Sequence, residues 1–124
     1  LRSSRHVEVI VNGVTVADSH RPTILFETGL PIRYYLPLTD VATELLRPSA
    51  SATGCPYKGA ASYWSLEVEG EQFEDVVWTY PSPLPESAGI TGLVCFYNER
   101  VDIRVDGKLQ ERPSSPFSRR AAAA

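Results

Sequence analysis

The chain has 124 residues, 43% hydrophobic and 22% charged, which is enough for one compact domain and too short for two ordinary ones. Its 12 basic and 15 acidic residues give a net charge of −3, which argues against bulk affinity for nucleic acid or an anionic membrane, and no apolar run is long enough to span a bilayer. The two cysteines, Cys55 and Cys95, are too far apart for a CxxC knuckle, and a domain of this length needs neither metal nor disulfide to be stable, so no metal site and no cofactor is expected.

Leu1-Arg2-Ser3-Ser4 opens without an initiator methionine or an apolar leader core, so the start reads as the end of a fragment or processed piece without a secretory signal. At the other end, residues 114–124 read SSPFSRRAAAA, carry no strand or amphipathic pattern, and are expected to be a disordered tail or an appended remnant. A single β domain is left over residues 5–113. Without the tail's Arg119 and Arg120 the chain keeps 10 basic against 15 acidic residues, more acidic than the whole chain suggests.

In chain order, His6 to Val11, then Asn12-Gly13, then Val14 to Ala17 predicts a hairpin, because Asn-Gly supplies the two positive-φ residues of a type I′ turn. Thr23 to Glu27 and Ile32 to Leu36 read as strands around Gly29 and Pro31. Leu38, Val41, Ala42, Leu45 and Leu46 follow the i, i+3, i+4, i+7, i+8 spacing of one helix face, which predicts a short helix near residues 38–47, capped by Thr39 or Asp40 and stopped by Pro48. Thr53 to Gly59 reads as a turn-rich loop. Ala60 to Val68 and Gln72 to Tyr80 read as strands joined through Glu69-Gly70-Glu71, and the prolines of Pro81-Ser82-Pro83-Leu84-Pro85 must leave the sheet. Leu93 to Tyr97 and Val101 to Val105 follow, and Asp106-Gly107 before Lys108 to Gln110 repeats the opening hairpin signal. About eight strands and one short helix make an all-β, mainly antiparallel domain, built as coiled sheets or a small open barrel.

Three groups of motifs stand out. They are Glu27-Thr28-Gly29-Leu30-Pro31 with Tyr34-Tyr35-Leu36-Pro37 and Asp40-Val41; Cys55-Pro56-Tyr57-Lys58-Gly59 with Tyr63-Trp64-Ser65; and Trp78-Thr79-Tyr80-Pro81 with Cys95-Phe96-Tyr97-Asn98. In this order they resemble the domain-of-unknown-function family 427 over about residues 5–113. The resemblance implies tent-like, coiled antiparallel sheets, in a family whose relatives hold a small ligand or a zinc ion. The zinc does not carry over, because the paired CxxC knuckles are absent here. The chain looks most like the second domain of a tandem actinobacterial form, so the resemblance implies packing against a preceding homologous domain or a second copy. The nucleotidyltransferase-like label sometimes given to the family does not fit these residues. No Gly-Ser turn precedes an Asp-x-Asp pair, and Gly107-Lys108 lies in a hairpin turn rather than a phosphate loop. Glu67, Glu69, Glu71, Glu74 and Asp75 are the one carboxylate run, and the alternation of the first three reads as a solvated strand face.

Cys55 is the nucleophile candidate, since an ammonium three residues away at Lys58 favours the thiolate. Its plainer reading is a small buried side chain packing the loop, and a disulfide to Cys95 is the third, disfavoured in the cytoplasmic location expected for this chain. His6 and His20 read as surface residues of a hairpin end and a loop. Lys58 could pair with Glu27 or Asp40, hold an anion, or form a Schiff base if desolvated. Of the 12 aromatic residues, Tyr34, Tyr35, Tyr57, Tyr63, Trp64, Trp78 and Tyr80 cluster in the motif segments. Strand neighbours point to opposite faces, so Tyr34 and Tyr35, or Tyr63 and Trp64, cannot share one core, and some of these rings line a second face. The expected site is an aromatic-walled pocket for an unknown small molecule, made of Glu27, Tyr35, Tyr57, Lys58, Trp64, Trp78 and Tyr80. The alternatives are an enzyme using Cys55 or Lys58, and a protein-interaction domain with an exposed aromatic face.

Overall fold

A computed structural model describes residues 1–55, 59–82 and 85–114, with residues 54, 55 and 85–87 described by their backbone alone. Ten strands lie among them: β1 (Val7–Val11), β2 (Val14–Ser19), β3 (Thr23–Leu25), β4 (Arg33–Leu36), β5 (Leu46–Cys55), β6 (Gly59–Val68), β7 (Glu71–Thr79), β8 (Val94–Phe96), β9 (Asp102–Val105) and β10 (Lys108–Leu109). They form a four-stranded sheet in the order β10-β9-β1-β2 and a six-stranded sheet in the order β3-β4-β8-β7-β6-β5, with every strand pair antiparallel. The all-β expectation holds, and both sheets are open rather than closed into a barrel. Among the described residues no helix is long and apolar enough to cross a membrane.

The two turns read from Asn12-Gly13 and Asp106-Gly107 form as expected, with φ of 50° and 76° in the first and 52° and 81° in the second. Glu69-Gly70 makes a third of the same kind between β6 and β7, with φ of 51° and 79°. It ends β6 at Val68, so Glu67 and Glu71 lie exposed on two strands and Glu69 on the turn, not on one strand face.

The short helix expected near residues 38–47 does not form. Two single 3₁₀ turns, Leu38–Asp40 and Thr43–Leu45, stand there instead, separated by Val41 in extended conformation (φ −113°, ψ 142°). Val41 bridges Ala17, and the Ala42 amide donates to the Val16 carbonyl at 2.8 Å, so β2 takes the backbone groups an α-helix would have paired internally. Asp40 does not cap. Its carboxylate accepts from Ser19 Oγ at 2.7 Å and lies 3.3 Å from Arg21. Pro48, expected as a stop, sits inside β5 opposite Trp64, where the β5–β6 register shifts. β5 is the strand the sequence hides, since its first residues share the apolar spacing of the expected helix and its last were read as loop.

The main core fills the space between the sheets. Val7, Val9, Val11 and Val16 from the smaller sheet meet Leu36, Val77, Val94 and Phe96 from the larger one. A separate cluster, Tyr35, Ala61, Trp78, Tyr80, Ile90, Cys95 and Tyr97, occupies the other face of the six-stranded sheet, with Ile90 contributed by the end of the 3₁₀ segment Pro85–Ile90.

Candidate functional site

The second face is ordered by strand register. Tyr35 pairs with Cys95, Cys95 with Trp78, and Trp78 with Tyr63, so four side chains stand side by side across β4, β8, β7 and β6. Two residues along β4 and just past β8, Arg33 and Tyr97 share that face by alternation. The opposite alternation sends Tyr34 and Trp64 to the main core, which resolves both aromatic pairs as the sequence required.

A buried ion pair anchors one side of this face. Arg33 Nη1 and Nη2 donate to Glu99 Oε1 and Oε2 at 2.6 and 2.8 Å, and the two side chains are 9% and 0% exposed. Glu99 is held inward by the turn after β8, where the amides of Arg100 and Val101 both donate to the Tyr97 carbonyl. The guanidinium carbon sits 5.2 Å from the Trp78 ring centroid and 5.4 Å from that of Tyr97, within cation–π range of both. Trp78 and Tyr97 lie 4.2 Å apart, and Trp78 meets Tyr35 edge to face at 6.2 Å while its indole Nε1 donates to the Tyr35 hydroxyl at 3.2 Å. At the open margin, the half-buried Tyr63 places its hydroxyl 3.0 Å from Thr53 Oγ1 and 3.4 Å from the Tyr97 hydroxyl.

Electrostatics fix the protonation of this face. Burial alone would pull Arg33 down, but the hydrogen bond to Glu99 and the surrounding negative charge hold it above its ordinary value. Burial pushes the Cys95 thiol up to about 12 despite the nearby Arg33 charge. Burial also raises Tyr35, and it raises Tyr97, where the Tyr63 hydrogen bond adds to it. At neutral pH these groups are therefore a protonated thiol and protonated phenols around a self-neutralised ion pair. They can donate hydrogen bonds and stack, but they offer neither a thiolate nor a phenolate.

Residues 1–107 match the family model described as Domain of unknown function (DUF427). The chain belongs to this family. No curated protein matches it significantly. Within the DUF427 domain the structure brings together three of the expected site residues, Tyr35, Trp78 and Tyr80, in one cluster. Trp64 is not with them, because it neighbours Tyr63 on β6 and so points to the main core. Glu27 is half-buried in the β3–β4 connection. Tyr57 and Lys58 lie outside the described residues, and Cys55 is described by its backbone, which pairs with Gly59 at the end of β5. Asp40, offered as a partner of Lys58, is engaged by Ser19 and Arg21.

The DUF427 domain also uses residues that the sequence reading passed over. Arg33 could have been found, because it stands two positions before Tyr35 on a strand and shares its face. Tyr97 bears the same relation to Cys95. Glu99 carries no such signal, since it sits in a turn and only the fold brings it to Arg33. Of the acidic run, Asp75 is not solvated. Its φ of 52° marks a register shift between β6 and β7, where its carboxylate accepts from Ser51 Oγ at 2.6 Å and its amide donates to Ser65 Oγ at 3.1 Å.

Proposed function

We propose that this DUF427 domain binds a small, flat organic molecule at the margin of the aromatic face, with Tyr63 and Trp78 as its platform, Lys58 as its charged contact and Glu27 as the carboxylate that orients Lys58. The observation that supports this reading is the second aromatic cluster, which stands apart from the core between the sheets and contains a buried Arg33–Glu99 pair with both charges satisfied. A face whose own cation is already neutralised leaves the recognition of an anionic group to another residue. Gly59, Ala61 and Tyr63 alternate on β6, so the strand that follows Lys58 runs directly onto this face. Protonated phenols and a protonated Cys95 favour binding over proton transfer or nucleophilic attack. Polar groups few in number among aromatic walls are the usual composition of a small-molecule site.

The same reading places the protein in the cytoplasm, where the free thiol of Cys95 persists reduced. Its protein partner is a preceding homologous domain or a second copy, and the exposed side chains of Phe26, Leu30 and Ile32 between β3 and β4 suit such packing. A thermal-shift screen of metabolites tests the binding reading. A ligand that stabilises the wild type is expected to lose most of its effect with Lys58→Ala and with Tyr63→Ala, both checked for folding by circular dichroism. Equal stabilisation of wild type and both variants refutes the site.

A further inference from the structure

On the far side of the molecule, the β1–β2 hairpin brings together three metal-ligating side chains. Val7 pairs with Ser19 and Glu8 with Asp18, so the next step of the ladder sets His6 beside His20. Val7, Ala17 and Ser19 are buried, which leaves His6, Asp18 and His20 on the outer face of the four-stranded sheet. The two imidazoles stack with centroids 4.1 Å apart and planes 12° from parallel. His6 Nε2 lies 2.6 Å from Asp18 Oδ1, and one donor atom from each of the three residues falls within 4.8 Å of the others.

We propose that His6, Asp18 and His20 form a three-ligand site for a divalent transition metal ion of the Zn²⁺ class. Two neutral imidazoles and one carboxylate are the donor set that suits zinc, cobalt, nickel or copper, whereas magnesium and calcium require oxygen ligands. Zinc bonds nitrogen at about 2.0–2.1 Å and carboxylate oxygen at about 2.0–2.2 Å, which places neighbouring tetrahedral donors about 3.4 Å apart. Binding requires the stacked rings to swing apart so that their in-plane lone pairs converge on one ion, and the side chains have room for it: His6 is 31% and Asp18 54% exposed, and His20 is exposed. Three protein ligands leave the fourth position to solvent, the arrangement of an open site rather than a closed structural one.

Titrating Co²⁺ and Zn²⁺ into the full chain tests the site by two readouts, the visible absorption of cobalt and the imidazole NMR signals of His6 and His20. One metal per chain is expected, with both histidines shifting on binding. His6→Ala, His20→Ala and Asp18→Asn are each expected to weaken affinity by roughly tenfold or more. All three positions face solvent, so the variants are expected to keep the wild-type circular dichroism, and any that does not is replaced by His6→Gln or His20→Gln. Affinity unchanged in the His6/His20 double variant overturns the proposal. So does a thiolate-to-cobalt charge-transfer band, which would assign the metal to a cysteine.

Discussion

Removing one half of the Arg33–Glu99 pair is the sharpest test of how the aromatic face is held. Glu99→Ala strands a guanidinium that is 9% exposed between the rings of Trp78 and Tyr97. Breaking a buried pair by deleting one partner costs about 3–5 kcal/mol, because the remaining charge has lost its water and its counter-charge. Both side chains are nearly inaccessible, so solvent screening does not reduce that figure, and added salt leaves it unchanged. Against a total stability of about 5–15 kcal/mol the loss is large, and at about 4 °C per kcal/mol it lowers the melting temperature by roughly 12–20 °C. The double variant Arg33→Met, Glu99→Leu removes both charges and refills the volume. It is expected to recover all but about 1–2 kcal/mol, the shortfall being the lost stacking of the guanidinium on the two rings. Urea unfolding followed by tryptophan fluorescence measures all three proteins. If Glu99→Ala costs less than about 1 kcal/mol, or if the double variant is no more stable than the single one, the pair is not the anchor of this face.

Tyr35→Phe removes the acceptor of the buried Trp78 indole N–H and is expected to cost about 1–3 kcal/mol in urea unfolding, with a shift in tryptophan emission; an unchanged midpoint would show that the bond is not formed. Cys95 is expected to resist iodoacetamide at pH 8 in the native protein and to react only in denaturant, with labelling assigned by peptide mass spectrometry to separate it from Cys55. Rapid native labelling of Cys95 would contradict its burial. Stability is expected to fall in alkali. The Cys95 thiol rises from 9.0 to about 12 on folding, so its contribution is complete below about pH 9 and is lost as the pH climbs to about 12. Tyr35 and Tyr97, raised above 10.0, steepen the loss beyond that point, each adding up to about 1.4 kcal/mol per pH unit. A flat unfolding midpoint between pH 8 and 11 would refute this.

The strands were legible where turn chemistry and alternation agree. Asn12-Gly13 and Asp106-Gly107 announce their hairpins, and Val7, Val9 and Val11 repeat every second residue. Legibility fails at residues 38–55 because two signals compete there. The apolar spacing of Leu38, Val41, Leu45 and Leu46 suits a helix, but Val41 gains more by extending to bridge Ala17 and bury itself. Pro48 looks like a stop because proline cannot donate to a ladder, yet it is tolerated at an irregularity on an edge strand, and β5 is the edge of its sheet.

The candidate sites divide in the same way, according to whether a residue lies in unbroken register. Tyr34 and Tyr35 sit in regular ladder with β3 and β8, and Tyr63 and Trp64 keep regular pairing with β7, so alternation alone assigns their faces and predicts a second aromatic surface. His6 and His20 lie beyond a break. A plain two-residue turn at Asn12-Gly13, carried down both strands, would set His6 opposite Ser19 and leave His20 without a histidine neighbour. The observed pairing moves from Ile10–Thr15 to Val9–Ala17, so Val16 is an extra residue in β2 and every later partner slips by one. The bulge turns both Val16 and Ala17 inward, and the same slip delivers His20 to His6 with Asp18 two residues away on the same face. Asp75 follows the same logic in β7, where a register shift takes its carboxylate out of the solvated run to Ser51 and its amide to Ser65. A one-residue slip exchanges the faces of everything after it. The groupings invisible to residue spacing are therefore those downstream of a bulge, and in this protein one of them is the histidine pair with the donor set for a metal.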